Sequence, residues 1–203
     1  MNNTCHDSPT PSAPAFYDIV VMGGSAGGFN AFKSVLSALP PNFSMPVLLV
    51  QHLHPSDDGL FVQHMAMSVD LMVTEPWDKE PIEPGKVYVA PADYHMLVER
   101  GGTIAFSTEE KVNWSRPSID VLFESAAFLY GNRVIGIILT GASADGTSGI
   151  KAIKTAGGLT IAEDPATAEF PFMPQSAIET GAVDLVLTAE QIGKILAGFV
   201  KTE

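Results

Sequence analysis

The sequence is poor in cysteine, in positive charge and in long apolar runs. A single cysteine, Cys5, stands in 203 residues, so one chain can build neither an internal disulfide nor a thiolate metal cluster. A reducing, cytoplasmic setting is expected. Eleven Lys and Arg face 23 Asp and Glu, a formal charge of −12. Recognition of a phosphate backbone needs clustered cations, so nucleic acid is excluded as a partner. No stretch approaches the roughly 20 consecutive apolar residues that cross a bilayer; even Val134 to Leu139 is only strand-length. Membrane insertion is therefore not expected. Histidine is scarce too: His6, His52, His54, His64 and His95 are the whole set, with none in the last hundred residues.

What is present suffices for one substantial core, since 46% of the residues are hydrophobic and the length does not favour two large domains. Residues 1–15 mix Asn, Thr, Ser and Pro without the basic start and apolar centre of a secretory signal, and they read as a disordered leader to a domain over 16–203. From there, short apolar runs alternate with segments of helical period. Ile19 to Met22, Val47 to Val50, Val87 to Ala90, Val134 to Leu139, Leu159 to Ala162 and Val183 to Leu187 are too uniformly apolar for a sheet with one wet face. Between them, 29–39, 59–69, 118–130, 147–156, 174–179 and 189–199 have helix-like spacing, with Ser118 and Thr188 as plausible caps. This pattern predicts an α/β fold: a doubly wound, mostly parallel sheet with helices on both faces. Residues 74–106 break the alternation, and turn signals at Glu83-Pro84-Gly85-Lys86 and Arg100-Gly101-Gly102 predict an antiparallel hairpin region there.

In open α/β sheets, ligands gather at the carboxyl ends of the strands. Three residues stand immediately beyond such ends. Ser25 follows the first strand inside Gly23-Gly24-Ser25-Ala26-Gly27-Gly28, His52 follows the second, and Asp145 lies in the loop Gly141-Ala142-Ser143-Ala144-Asp145-Gly146 after the strand from Val134. A nucleophile, a base and an acid on one rim are the parts of a serine hydrolase. The order Ser, His, Asp rules out the α/β-hydrolase arrangement, in which the histidine comes last. Each residue also has a plainer interpretation. Glycine-rich turns often cradle phosphate, although no lysine closes a P-loop here. His52 is a possible structural histidine, with His54 competing for its role, and Asp145 a possible helix cap. Met65, Met67 and Met72, with Phe61, are at spacings that suit core packing better than a binding surface. A non-catalytic interaction module and a phosphate- or nucleotide-binding domain thus remain as rival classes.

Six blocks, met in sequence order, carry a family resemblance: Met22 to Gly28, Val50-Gln51-His52, Pro84 to Pro91, Arg116-Pro117-Ser118-Ile119-Asp120, Leu139 to Gly146 and Met173-Pro174. From about Phe16 onward the chain resembles the catalytic domain of CheB-type protein-glutamate methylesterases, in a single-domain form without a receiver domain. The resemblance implies hydrolysis of glutamate γ-methyl esters on the cytoplasmic helices of a methyl-accepting chemoreceptor or similar methylated protein, in chemotactic adaptation. Some family members also deamidate glutamine. It places the nucleophile on Ser25, the base on His52 and the acid on Asp145, with backbone oxyanion donors at Ala26, Ala142 and Ser143. It calls for no metal and no organic cofactor. Ala26 stands where the family commonly has Thr, Ala142-Ser143 where it has Met-Gly, His54 where Pro is frequent, and Phe172 where Gly is usual.

Overall fold

A computed structural model describes residues 17–199; the expected leader lies outside them. Seven strands form one parallel sheet in the order β3-β4-β2-β1-β7-β8-β9. They are β1 (Ile19–Gly24), β2 (Val47–Gln51), β3 (Met72–Thr74), β4 (Lys86–Val89), β7 (Val134–Ile138), β8 (Leu159–Glu163) and β9 (Leu185–Leu187). The central strands β1, β2 and β7 are buried at every position, which explains their unbroken apolar sequences: side chains alternate between two cores rather than between core and water.

Val20 and Met22 join one core with α1 (Gly28–Leu36), α2 (Leu60–Ala66) and α6 (Ala189–Ala197), through Phe32, Met65, Ile192 and Leu196. Ile19 and Val21 join the other, with α3 (Ile119–Tyr130), α4 (Thr147–Thr155) and α5 (Phe172–Glu179), through Phe123, Ile150, Ile153 and Ala177. Each fully buried aliphatic side chain is worth about 1.5–3 kcal/mol over exposure, so a one-residue slip of β1 would exchange both cores at once. The doubly wound α/β class expected from the sequence is borne out.

The antiparallel region expected around residues 74–106 is present as a two-stranded sheet, against which Pro81 adds an antiparallel bridge to Thr103. β5 (His95–Glu99) and β6 (Thr103–Ser107) form the sheet, across the Arg100-Gly101-Gly102 turn. The turn at Pro84-Gly85 instead leads into β4, which pairs in parallel with both β3 and β2. Of the methionines read as core, Met65 is buried, but Met67 and Met72 are 77% and 61% exposed. Their helical spacing failed because α2 ends at Ala66 and Met72 opens an edge strand. Thr188 caps α6 in a full capping box with Gln191, as its sequence position suggested.

Candidate active site

Ser25 leaves the carboxyl end of β1 on a tight turn. Its N–H donates to Thr140 O at 3.0 Å, and its carbonyl accepts from Gly28 N–H at 2.9 Å. Gly27 takes φ +75° as N-cap of α1, a conformation that costs glycine little and other residues more. The loop after β7 presses against the serine: a Cβ on Gly141 would stand 3.0 Å from Ser25 Cβ and 2.7 Å from Met173. Any larger residue there would push the two apart.

His52 follows β2, the parallel neighbour of β1, and its N–H donates to Gly24 O at 3.2 Å. Gln51 ties the two strand ends together, its Nε2 donating to Ser25 O at 2.9 Å and to His52 O at 3.1 Å. The imidazole Nε2 lies 2.8 Å from Asp145 Oδ2. With Nε2–H donated to the carboxylate, Nδ1 is the nitrogen left with a free lone pair. This is the reverse of the chymotrypsin arrangement, where Nδ1 faces the acid. The structure brings His52 and Asp145 into contact but forms no hydrogen bond between the Ser25 hydroxyl and His52. The hydroxyl within reach of Nδ1 is that of Ser115, at 3.5 Å, the outer limit of a hydrogen bond. His54 points its Nδ1 at Ser56 Oγ, 2.7 Å away, and it is His52, not His54, that meets Asp145.

Asp145 is fully buried, yet it does not cap the helix that follows it; Gly146 is the N-cap of α4. Its carboxylate reaches across to α3 instead. Oδ2 accepts from Ile119 N–H at 2.6 Å, and Oδ1 from Ser118 Oγ at 2.8 Å and Asp120 N–H at 3.3 Å. The free donors of the α3 N-terminus thus face a carboxylate, where the helix dipole also favours it. Asp120 returns the arrangement, accepting from Gly149 N–H in the first turn of α4 at 2.7 Å. Asn113 bridges the two acids, 2.7 Å to Asp120 Oδ2 and 2.9 Å to Asp145 Oδ1.

These contacts split the acidities of the pair. Burial opposes ionisation of Asp145, but hydrogen bonds from His52, Asn113 and the Ile119 N–H outweigh it and hold the carboxyl below the usual carboxylate range. For Asp120 burial dominates, the Gly149 N–H offsets part of it, and the charge of Asp145 adds to it, so its pKa rises. Separated acidities in neighbouring titratable groups are common at functional sites.

The backbone N–H groups of Ala26, Ala142 and Ser143 have no protein acceptor among the described residues. Glu169 packs against the glycine turn, its Oε2 being 3.0 Å from where a Gly27 Cβ would stand. A phosphate on that turn would meet this carboxylate, which weighs against the nucleotide-binding alternative. Sequence reasoning assigned no part in the site to Gln51, Asn113, Ser115 or Asp120, and read Ser118 only as a helix cap. Gln51 had a usable signal, adjacency to His52 at a strand end. The others reach His52 or Asp145 across 25 to 63 residues of chain, a separation with no sequence period.

A doubly wound sheet that sets a buried carboxylate and an imidazole in contact near a serine turn defines the class: a doubly wound α/β domain with a polar site at the carboxyl ends of its strands. The family follows from comparison. The model of the CheB methylesterase family matches residues 20–196, and the chain belongs to that family, as its motifs suggested. A relative from Leptospira interrogans is 48% identical over 179 residues, which span 88% of this chain and 93% of that protein. The protein-glutamate methylesterase/protein-glutamine glutaminase of Thermotoga maritima is 39% identical over 189 residues, 90% of this chain and 54% of its own length. The crystal structure of the Thermotoga maritima CheB methylesterase catalytic domain superposes with a TM-score of 0.86 at 37% identity, covering 91% of this chain and 99% of that one. No described helix is long and apolar enough to cross a membrane.

Proposed function

We propose that this chain demethylates glutamate γ-methyl esters on a methyl-accepting chemoreceptor or similar methylated protein in the cytoplasm, with Ser25 as nucleophile. The observation that carries the proposal is the 2.8 Å contact between His52 Nε2 and Asp145 Oδ2 beside the Ser25 turn. Ser25 Oγ attacks the ester carbonyl while its proton passes to His52 Nδ1. Asp145 holds the ring in the required tautomer and stabilises the imidazolium. The tetrahedral oxyanion takes the free N–H groups of Ala26, Ala142 and Ser143, each such donor being worth about 3–4 kcal/mol in other enzymes. Collapse breaks the C–OMe bond, and the Nδ1 proton leaves with methanol. Water then gives a proton to Nδ1 and its oxygen to the acyl carbon, which releases Ser25 and the glutamate carboxylate. The same sequence on glutamine expels ammonia. Every step moves only protons and an acyl group, so the scheme calls for no cofactor.

The mechanism requires the Ser25 hydroxyl to come within hydrogen-bond reach of His52 Nδ1 when substrate binds, since catalytic hydrogen bonds often form or tighten only in the complex. The test is methanol release from a methylated receptor fragment, with Ser25→Ala run in parallel. The wild type is expected to release methanol and the variant none. Full activity in Ser25→Ala, or none in the wild type, would overturn the assignment.

A further inference from the structure

Trp114 is 94% exposed, and its backbone has no local reason to be tryptophan. It is the second central residue of a two-residue turn that Val112 and Ser115 close with N–H to carbonyl bonds of 3.2 and 2.9 Å. Asn113 and Trp114 take φ +50° and +65°, the left-handed pair that favours Asn-Gly. A bulky side chain with positive φ is an outlier that costs stability. An exposed indole recovers none of that cost by burial within the molecule.

Its two neighbours fix where the indole stands. Asn113 donates to Asp120 and Asp145, and Ser115 Oγ is 3.5 Å from His52 Nδ1. The turn is therefore anchored on the acid and base of the site. Trp114 lines a cavity of about 200 Å³ together with His52, Leu53, His54, Lys111 and Ser115. That volume suits a single side chain.

We propose that Trp114 is a docking residue, whose indole packs on an apolar side chain of the protein substrate next to its methylated glutamate. The proposal rests on the methylesterase reading and adds to it the chemistry of the flanking sequence. Lys111 on the same cavity disfavours a cationic flank. Exposed tryptophans flanking an otherwise polar site are frequent binding anchors, because a rigid aromatic surface is desolvated at little entropic cost.

The experiment compares wild type, Trp114→Gly and Trp114→Phe on a methylated receptor fragment and on p-nitrophenyl acetate, alongside thermal unfolding. Trp114→Gly is expected to raise KM for the fragment about tenfold, to carry little of the change in kcat, and to raise Tm by about 2–4 °C as backbone strain is relieved. Trp114→Phe recovers most of the KM. In a Ser25→Ala, Trp77→Phe background, emission from Trp114 shifts to the blue when the fragment binds. An unchanged KM, an equal loss on both substrates, or emission that follows protein concentration rather than fragment would overturn the docking role. Absence of methanol release by the wild type would remove the methylesterase reading and this role with it, so the two failures are separately visible.

Discussion

Asp145 receives hydrogen bonds from five groups, His52, Asn113, Ser118, Ile119 and Asp120, whereas the hydroxyl of Ser25, at the end of the neighbouring strand, makes none among the described residues. The two halves of the site handle charge at different times. A permanently buried carboxylate must be satisfied in the free protein, because an unpaired charge in the interior is very costly. In the proposed mechanism the oxyanion beside Ser25 exists only during reaction, so its donors have to stay free until then. Stability and catalysis should therefore separate at the serine and coincide at the aspartate.

The sharpest way to break this contrast is to compare Ser25→Ala with Asp145→Asn. The serine variant should lose at least about 10⁴-fold in kcat while Tm moves by no more than about 2 °C. The aspartate variant should lose about 10⁴-fold in kcat and also about 3 kcal/mol of stability, because an amide cannot accept from all five donors. Equal Tm values would refute the division. Asn113→Ala should come next, lowering kcat/KM about 10-fold and stability by about 1–2 kcal/mol as the bridge between two carboxylates is lost. Kinetics with denaturant unfolding would read both.

The pH dependence tests the split acidities. The folded pKa of Asp145 is depressed, so its stabilisation is complete above the ordinary carboxylate value of about 4 and is lost as pH falls through the lower folded value. The Tm deficit of Asp145→Asn should shrink below about pH 4. Asp120 has the opposite sign, since its folded pKa is raised. The wild type should gain on Asp120→Asn as pH falls from that raised value toward about 4. The smallest effect is expected at Ala142, whose side chain is exposed and whose proposed role is its N–H. Ala142→Leu should change kcat/KM by less than about threefold, as any side chain that keeps the donor satisfies the mechanism.

Much of this was legible beforehand because the signals are local. Fully apolar strands announce a sheet covered on both faces, and Ser25, His52 and Asp145 stand just past strand ends, where doubly wound sheets place their ligands. The misjudged elements were those with ambiguous local chemistry. Pro84-Gly85 looked like a hairpin turn but introduces a parallel strand, and Met67 and Met72 looked like core but fall beyond a helix end. Ser118 sits at the cap position of α3, yet its hydroxyl accepts from no N–H of that helix and donates instead to Asp145.

The sequence alone determined the α/β class, the strand ends that carry the chemistry and the residue types found there, because hydrophobic period and glycine turns act over a few residues. Tertiary structure decided which imidazole nitrogen faces the acid, that Asp145 caps α3 rather than α4, and that a tryptophan in a strained turn stands beside His52. Those outcomes depend on the spatial approach of groups far apart along the chain, and hydrogen-bond geometry at 3 Å has no counterpart in residue spacing.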